Sequence, residues 1–223
     1  MSQTIFLIVR YREALLKGAL TSIELAAIAW SAGLFFGTIL GVWRGLRSGG
    51  ATKSGVALFS VIASSIPVMV YLLWCYYPLQ SVLRINVSPF ATAATVFAFY
   101  NILIVGEVVR SAVADLPVSL SMAARVLGIP KTQYLRSILL PLAWRAALPG
   151  CLVSQVGVLH MTLFASLISV NELFRVVQQI NSVEYNAVGV FSLLALFYFI
   201  LSFPLLLLAG LANKWLAKLG LEK

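Results

Sequence analysis

The chain has 223 residues, of which 61% are hydrophobic and 10% are charged, and its mean hydropathy is +0.98. A soluble domain of this size cannot hide so much apolar surface, so the sequence predicts an all-α polytopic membrane protein with a single domain over 1–223. The formal net charge is +9, but the basic residues flank apolar stretches and do not tile one face. They therefore favour an orientation signal in membrane loops over a nucleic-acid partner.

Five stretches are long enough, at about 20 residues each, to cross the lipid bilayer. They lie near 19–42, 56–79, 87–106, 146–170 and 188–212. A short amphipathic helix is predicted before the first span, over residues 3–16, and it is expected to lie at the membrane surface.

The first span carries glycines at four-residue spacing, Gly33, Gly37 and Gly41. Residues at this spacing share one helix face, and glycine there lets another backbone approach closely. The pattern predicts helix packing along this face, and it leaves open whether the neighbour belongs to the same chain or to a partner.

The second span contains Pro67, within Ser64-Ser65-Ile66-Pro67. A proline frees a carbonyl one turn earlier, and nearby serines can bond to it again. Two alternatives remain at this point: a plain kink, or a break that lines a substrate pathway.

A long polar segment over 107–145 follows the third span. It predicts a helix through Met122–Leu127, capped by Ser119 or Ser121 and ended by Gly128. A second helix, Lys131–Leu140, is predicted to stop at Pro141.

The first of these helices has the features of a protein contact. Ala123 and Ala124 are small enough for close approach, and Leu127 can fill a pocket. Arg125, together with Lys131 and Arg136, offers charge pairs to an acidic partner surface.

The fourth span holds His160, the single histidine, followed by Thr162 and Ser166. A polar ring at membrane depth costs several kcal/mol unless it has a partner. The histidine either bonds to a neighbouring carbonyl or to Thr162, or it lines a substrate route. No other ligand lies at helical spacing, so no metal site is predicted.

The basic residues favour an orientation with the N-terminus outside and the C-terminus inside. In this topology eleven of the 16 Lys and Arg residues lie inside. The five outside are Arg10, Arg12, Lys17, Arg84 and Arg175. The 107–145 segment then faces the cytoplasm.

Several segments resemble the permeases of bacterial ATP-binding-cassette importers, in particular the polar amino-acid branch with its histidine, lysine, arginine, ornithine and opine transporters. These segments are Leu16-Lys17-Gly18, Glu107-Val-Val-Arg110 with Pro117, Met122-Ala123-Ala124 with Gly128, His160 with Thr162, and Ile180-Asn181-Ser182 with Tyr185. Two departures stand out. Met122 replaces the family's Glu of Glu-Ala-Ala, and Ser64-Ser65-Ile66-Pro67 replaces Arg-Gly-Thr-Pro.

The resemblance implies a type I importer permease fold in a bacterial inner membrane. The implied partners are a second permease subunit, two ATPase subunits and a periplasmic binding protein. It implies a subunit that forms half of a translocation pathway for a polar amino acid, with basic amino acids or opines as the narrower expectation. The chain has no Gly-x-x-x-x-Gly-Lys-Ser/Thr pattern, so ATP and Mg are expected on the partner ATPase and no cofactor in this chain.

The resemblance also assigns candidate residues. The expected substrate pathway is Pro67, His160, Thr162 and Ser166. The expected ATPase-docking residues, within the loop over 117–141, are Met122, Ala123, Ala124, Arg125, Leu127 and Gly128. The alternatives are a stand-alone channel, or an intramembrane enzyme built on His160 and Ser166, although no nucleophile turn such as Gly-x-Ser-x-Gly is present.

Overall fold

The computed structural model describes residues 2–46 and 51–218, and within these ranges the chain is helical and contains no strand. The α-helices in chain order are α1 (Ser2–Ala32), α2 (Thr38–Leu46), α3 (Ala51–Ser65), α4 (Val68–Tyr76), α5 (Pro78–Leu83), α6 (Pro89–Ala114), α7 (Val118–Val126), α8 (Lys131–Tyr134), α9 (Leu140–Met161), α10 (Leu173–Glu184) and α11 (Ala187–Lys218). Two π-helical turns, Gly33–Gly37 and Leu135–Leu139, and a 3₁₀ segment, Thr162–Ile168, connect some of them. Two residues of the basic count, Arg47 and Lys223, lie outside the described residues.

The described helices confirm an all-α membrane fold. Four continuous helical runs are long and apolar enough to cross a bilayer, and there are five spans if the bent pair Gly55–Ser65 and Val68–Leu83 forms one span. The spans lie where the apolar stretches of the sequence placed them, but several are longer than predicted.

The first span and the predicted N-terminal surface helix form one helical run, with a kink at Tyr11 (φ −108°, ψ 17°). The kink comes several residues before the predicted boundary near 16. Tyr11 donates a hydrogen bond to Glu184 Oε1 at 2.6 Å, and Arg10 forms an ion pair with the same oxygen at 2.9 Å. The N-terminal helix is therefore held to the end of α10.

The glycine face of the first span packs against α6 of the same chain, which answers the question that the sequence left open. A β-carbon added at these glycines would strike α6 side chains: Asn101 at Gly33, Val105 at Gly37, Val109 at Gly41 and Val113 at Gly45. The last three contacts would lie at 2.7 to 2.8 Å, which is closer than β-carbons pack. Gly45 extends the predicted face by one more turn.

The second span is broken and not merely kinked. Helix α3 ends at Ser65, α4 begins at Val68 after Pro67, and the two segments meet at 87°. Ser65 donates its hydroxyl hydrogen to the Val61 carbonyl at 2.7 Å, one turn back within α3, and not to the Ala63 carbonyl that Pro67 leaves without its helical donor. The structure thus rejects the plain-kink alternative.

The non-helical part of the polar segment over 107–145 is shorter than predicted, because the neighbouring helices extend into the segment from both sides. Helix α6 continues to Ala114. On the other side, the predicted stop at Pro141 is wrong, since one helical run extends from Lys131 to Ile168. The π-helical turn Leu135–Leu139 comes just before Pro141 and changes the hydrogen-bond pattern there, so the helix continues past a residue that has no N–H to donate.

Helix α10 was not predicted. It lies between the fourth and fifth spans and packs against α1 and α11. Its buried side chains Leu173, Val176, Val177 and Ile180 join a cluster with Leu7, Leu159 and Val190. With 12 residues, this amphipathic helix is too short to cross a bilayer, and its apolar face packs on the protein.

Candidate functional site

Helix α7 stands at the turn between the third and fourth spans. The predicted serine caps are wrong: Pro117 is the N-cap, and Ser121 instead donates its hydroxyl to the Val118 carbonyl at 2.8 Å. At the other end the prediction for Gly128 is confirmed, because it has φ +67° and follows the last helical residues. The Gly128 N–H bonds to the Arg125 carbonyl at 3.1 Å and the Ile129 N–H to the Ala124 carbonyl at 2.9 Å, which is a Schellman motif.

One face of α7 presents an exposed apolar stripe. Val118, Met122 and Val126 lie at four-residue spacing and are 66%, 61% and 87% exposed. Leu127 is also exposed next to this stripe, and so is Arg125. Three aligned apolar side chains in the open form a surface that fits a groove of another protein.

The two alanines of α7 face in different directions. Ala123 is exposed, whereas Ala124 is 5% exposed and faces the chain itself. The expected docking set therefore loses Ala124 as an outward contact, and Val118 and Val126 enter it. Helical periodicity alone identifies a stripe, but it does not say which face turns outward.

His160 lies at the end of α9 and faces α11. Its Nε2 is 3.1 Å from the Ser202 hydroxyl, and its ring meets the Tyr198 ring edge-on with centroids 5.8 Å apart. The bond partner is thus neither a backbone carbonyl nor Thr162. The histidine remains exposed on one side.

Thr162 is fully buried beside the same tyrosine. Its hydroxyl donates to the Leu159 carbonyl at 2.8 Å and lies 3.2 Å from the Tyr198 hydroxyl. His160, Thr162 and Tyr198 therefore form one polar group between α9 and α11.

The other two expected pathway residues lie elsewhere. Ser166 bonds to the Leu163 carbonyl at 2.7 Å, and its own carbonyl accepts from Arg175 Nη1 at 3.0 Å. Pro67 is exposed at the break between α3 and α4. Among the described residues, the structure brings His160 and Thr162 together at Tyr198, whereas the Ser166 hydroxyl bonds to Leu163.

A second buried polar group ties three spans together, and the sequence analysis missed it. Asn101 Nδ2 donates to the Ala29 carbonyl at 2.8 Å and to Gln155 Oε1 at 2.9 Å. The indole of Trp30 donates to the Gln155 carbonyl at 3.0 Å. Both amides fall inside predicted spans, so the rule that singled out His160, namely that polar side chains at membrane depth are costly, would also have found them.

Glu172 caps α10 from a fully buried position. Its carboxylate accepts from the N–H groups of Phe174 and Arg175, at 2.8 Å each, and lies 3.4 Å from the Ser22 hydroxyl. Burial raises the pKa of this carboxyl to about 7, although the backbone donors oppose that shift. The cap fixes the start of α10 against the first span.

A cavity of about 410 Å³ lies between α2, α3 and α6, toward the α7 end of these helices. Arg110 bonds to Glu107 Oε1 through Nε at 2.9 Å, and Arg44 Nη1 lies 3.3 Å from Glu107 Oε2. The Glu107–Arg110 pair was noted in the sequence, but the contribution of Arg44 was not. The lining residues are Trp43, Arg44, Val56, Ala57, Ser60, Val61, Ser64, Leu103, Glu107 and Arg110.

Comparison with known proteins places this architecture in a family. Residues 33–218 match the family of binding-protein-dependent transport system inner membrane components. The glutamine transport system permease protein of Escherichia coli is 26% identical over 193 residues, which cover 86% of this chain and 87% of that protein. The histidine/lysine/arginine/ornithine transport system permease protein of the same organism is 32% identical over 111 residues, covering 49% of this chain and 47% of that protein.

Structural comparison supports the same fold. A solved structure of an amino acid ABC transporter with histidines superposes with a TM-score of 0.81 at 22% identity, covering 92% of this chain and 94% of that chain.

Proposed function

The chain belongs to the family of binding-protein-dependent transport system inner membrane components, so it is a membrane-spanning transport permease, and we propose that it imports a polar amino acid with energy from a separate ATPase. In this proposal it forms half of a translocation pathway with a second permease subunit. Two ATPase subunits bind on the cytoplasmic side and hydrolyse ATP there, and a periplasmic binding protein delivers the amino acid.

The observation that carries the proposal is the outward stripe of α7. Val118, Met122 and Val126 offer an apolar ridge on a helix that begins after Pro117 and ends in the Schellman turn at Gly128. A short helix held between two spans can transmit a push from a bound protein into those spans as a rigid body. A stand-alone channel has no use for such a ridge.

The proposed cargo class rests on the relatives. The glutamine permease matches most of this chain, whereas the permease for histidine, lysine, arginine and ornithine matches about half of it. Both carry polar amino acids by name. A basic amino acid or opine remains the narrower proposal, supported by His160 and the Ile180-Asn181-Ser182 segment noted in the sequence.

The proposed pathway residues are His160, Thr162, Ser166 and Pro67. His160 and Pro67 are exposed in this chain, which a pathway wall requires. Thr162 is buried and acts in the proposal through Tyr198, which it contacts at 3.2 Å.

The proposed orientation places α7 in the cytoplasm and α10 in the periplasm, following the excess of basic residues on the α7 side. We expect Lys131→Cys, in a background with Cys75→Ala and Cys151→Ala, to resist a membrane-impermeant thiol reagent in intact cells and to react after permeabilisation. Val183→Cys on α10 is the matched control and should react in intact cells. Ready labelling at position 131 from outside would overturn the orientation.

Purification of the tagged full-length chain from its native membrane tests the function. We expect an ATP-binding-cassette ATPase to co-purify, and ATP hydrolysis by the assembly to increase with the loaded binding protein. A ligand screen on that binding protein then identifies the amino acid. Solute flux through the reconstituted chain alone, without ATPase or ATP, would instead establish a channel.

A further inference from the structure

The cavity between α2, α3 and α6 contains a positive charge that the protein itself does not fully satisfy. Arg44 is 9% exposed, and its Nη1 atom has no hydrogen-bond partner although it lies 3.3 Å from Glu107 Oε2. A buried charged donor without an acceptor is costly, and proteins retain one where a ligand can supply the acceptor.

The charges around the cavity favour an anion. Arg110 bonds to Glu107 through both Nε and Nη2, so Glu107 is largely engaged by that arginine. Two guanidinium groups and one carboxylate leave the cavity with one net positive charge. Guanidinium groups bind phosphate oxygens through paired hydrogen bonds.

The walls of the cavity favour a ligand with an apolar body. Val56, Ala57, Val61 and Leu103 line it alongside the arginines. On its outer side α3 exposes further large apolar side chains, among them Leu58, Phe59 and Ile62. A ligand can therefore place its charge against the arginines while its apolar part follows the lipid-facing surface of α3.

One residue in the cavity wall indicates the level of a membrane interface. Trp43 stands in its wall and is partly exposed, and tryptophan concentrates at the level of lipid headgroups. Basic pockets between membrane helices at this level bind anionic headgroups.

We propose that this cavity binds the phosphate group of an anionic phospholipid from the leaflet on the α7 side, with Arg44 and Arg110 as its donors. That leaflet is the inner one if the proposed orientation holds, but the binding itself does not depend on the transport function. The bound lipid fills the space between α3 and the α2–α6 pair, where α3 makes few contacts of its own.

Tryptophan quenching by brominated lipids measures this binding directly, because bromine on an acyl chain quenches an indole that it touches. The purified full-length chain is stripped of lipid and reconstituted in phosphatidylcholine with an equal fraction of either brominated phosphatidylglycerol or brominated phosphatidylcholine. The difference between wild type and Trp43→Phe isolates the Trp43 signal. We expect brominated phosphatidylglycerol to quench Trp43 more strongly, and equal quenching by the two lipids would overturn the proposal.

Variants locate the site. Arg44→Gln should lower the preference for the anionic lipid about tenfold or more, because it removes a charge-assisted hydrogen bond. Arg136→Gln is the matched control: it removes an exposed arginine on the same side but outside the cavity, and should preserve the preference. A preference that survives Arg44→Gln unchanged would overturn the assignment.

A cavity-filling variant and a competition with inorganic phosphate complete the test. If Arg44→Gln does not fold, Ala57→Phe fills the cavity while the arginines stay, and it should also abolish the preference; retention would contradict the proposal. Inorganic phosphate added to the same bilayers tests the free ion as the source of the anion. Phosphate that binds to the protein while the two brominated lipids quench Trp43 equally would identify a free-anion site and refute a lipid site.

Discussion

Truncation of Met122 to alanine tests the docking role of α7 most directly. Met122 is the middle residue of the outward stripe and is 61% exposed, so the chain alone loses little when its side chain is removed. Complete burial of a methionine side chain stabilises by about 1.5–3 kcal/mol. Burial of its exposed part against an ATPase is then worth about 1–2 kcal/mol, which corresponds to about 5- to 30-fold in affinity.

The assay is titration of the detergent-solubilised permease with the fluorescently labelled ATPase that co-purifies with it. We expect Met122→Ala and Val126→Ala each to raise the dissociation constant about 5- to 30-fold and to leave the thermal midpoint of the permease unchanged. Val82→Ala is the control, because Val82 is 79% exposed, between Met122 and Val126, but lies on α5, far along the chain from α7. An unchanged dissociation constant in both stripe variants would refute the docking argument.

Three further outcomes are expected. Gly41→Leu should prevent stable folding, since even its β-carbon would lie 2.6 Å from a backbone oxygen of α6. Gly157→Ala is the control, because its β-carbon would meet nothing within 4 Å, and it should keep the wild-type thermal midpoint. Equal thermal midpoints for the two variants would contradict the packing argument. The folded-state pKa of Glu172 is raised to about 7. The buried carboxylate charge therefore costs no folding stability below about pH 4.5, where the group is protonated in both states, and its full cost is reached above about pH 7. The thermal midpoint should fall as the pH rises over that interval, and Glu172→Gln should make this fall smaller. His160→Leu should abolish amino-acid uptake, while its thermal midpoint stays close to that of Ser202→Ala. The Ser202→Ala variant removes only the hydrogen bond between Ser202 and His160. Normal uptake by His160→Leu at limiting substrate would exclude His160 from the pathway.

The sequence predicts the approximate position of the spans because apolar length is a local property. The glycine spacing from Gly33 to Gly41 predicts a packed face for the same reason. The partner of that face depends on the chain path and becomes visible only when α6 is in place. Gly128 was also predictable, since a Schellman turn needs a positive φ at one position.

The failures share a physical cause, which is that tertiary context overrides local signals. Pro141 ends a helix by the usual rules, yet the π-helical turn before it lets the helix continue. The small side chain of Ala124 suggests a contact with a partner, but in the fold it is buried against the chain itself. Arg44 lies far from Glu107 in sequence, so the ion pair between them could not be predicted before the packing of α2 on α6 was known.

The glycine face of the first span also constrains biogenesis. Its partner helix, α6, is synthesised only after the whole broken span formed by α3, α4 and α5. The glycine face of the first span therefore stays without its native partner until α6 has been made. An error in the insertion of α6 would leave this glycine face without the helix that it packs against in the folded protein.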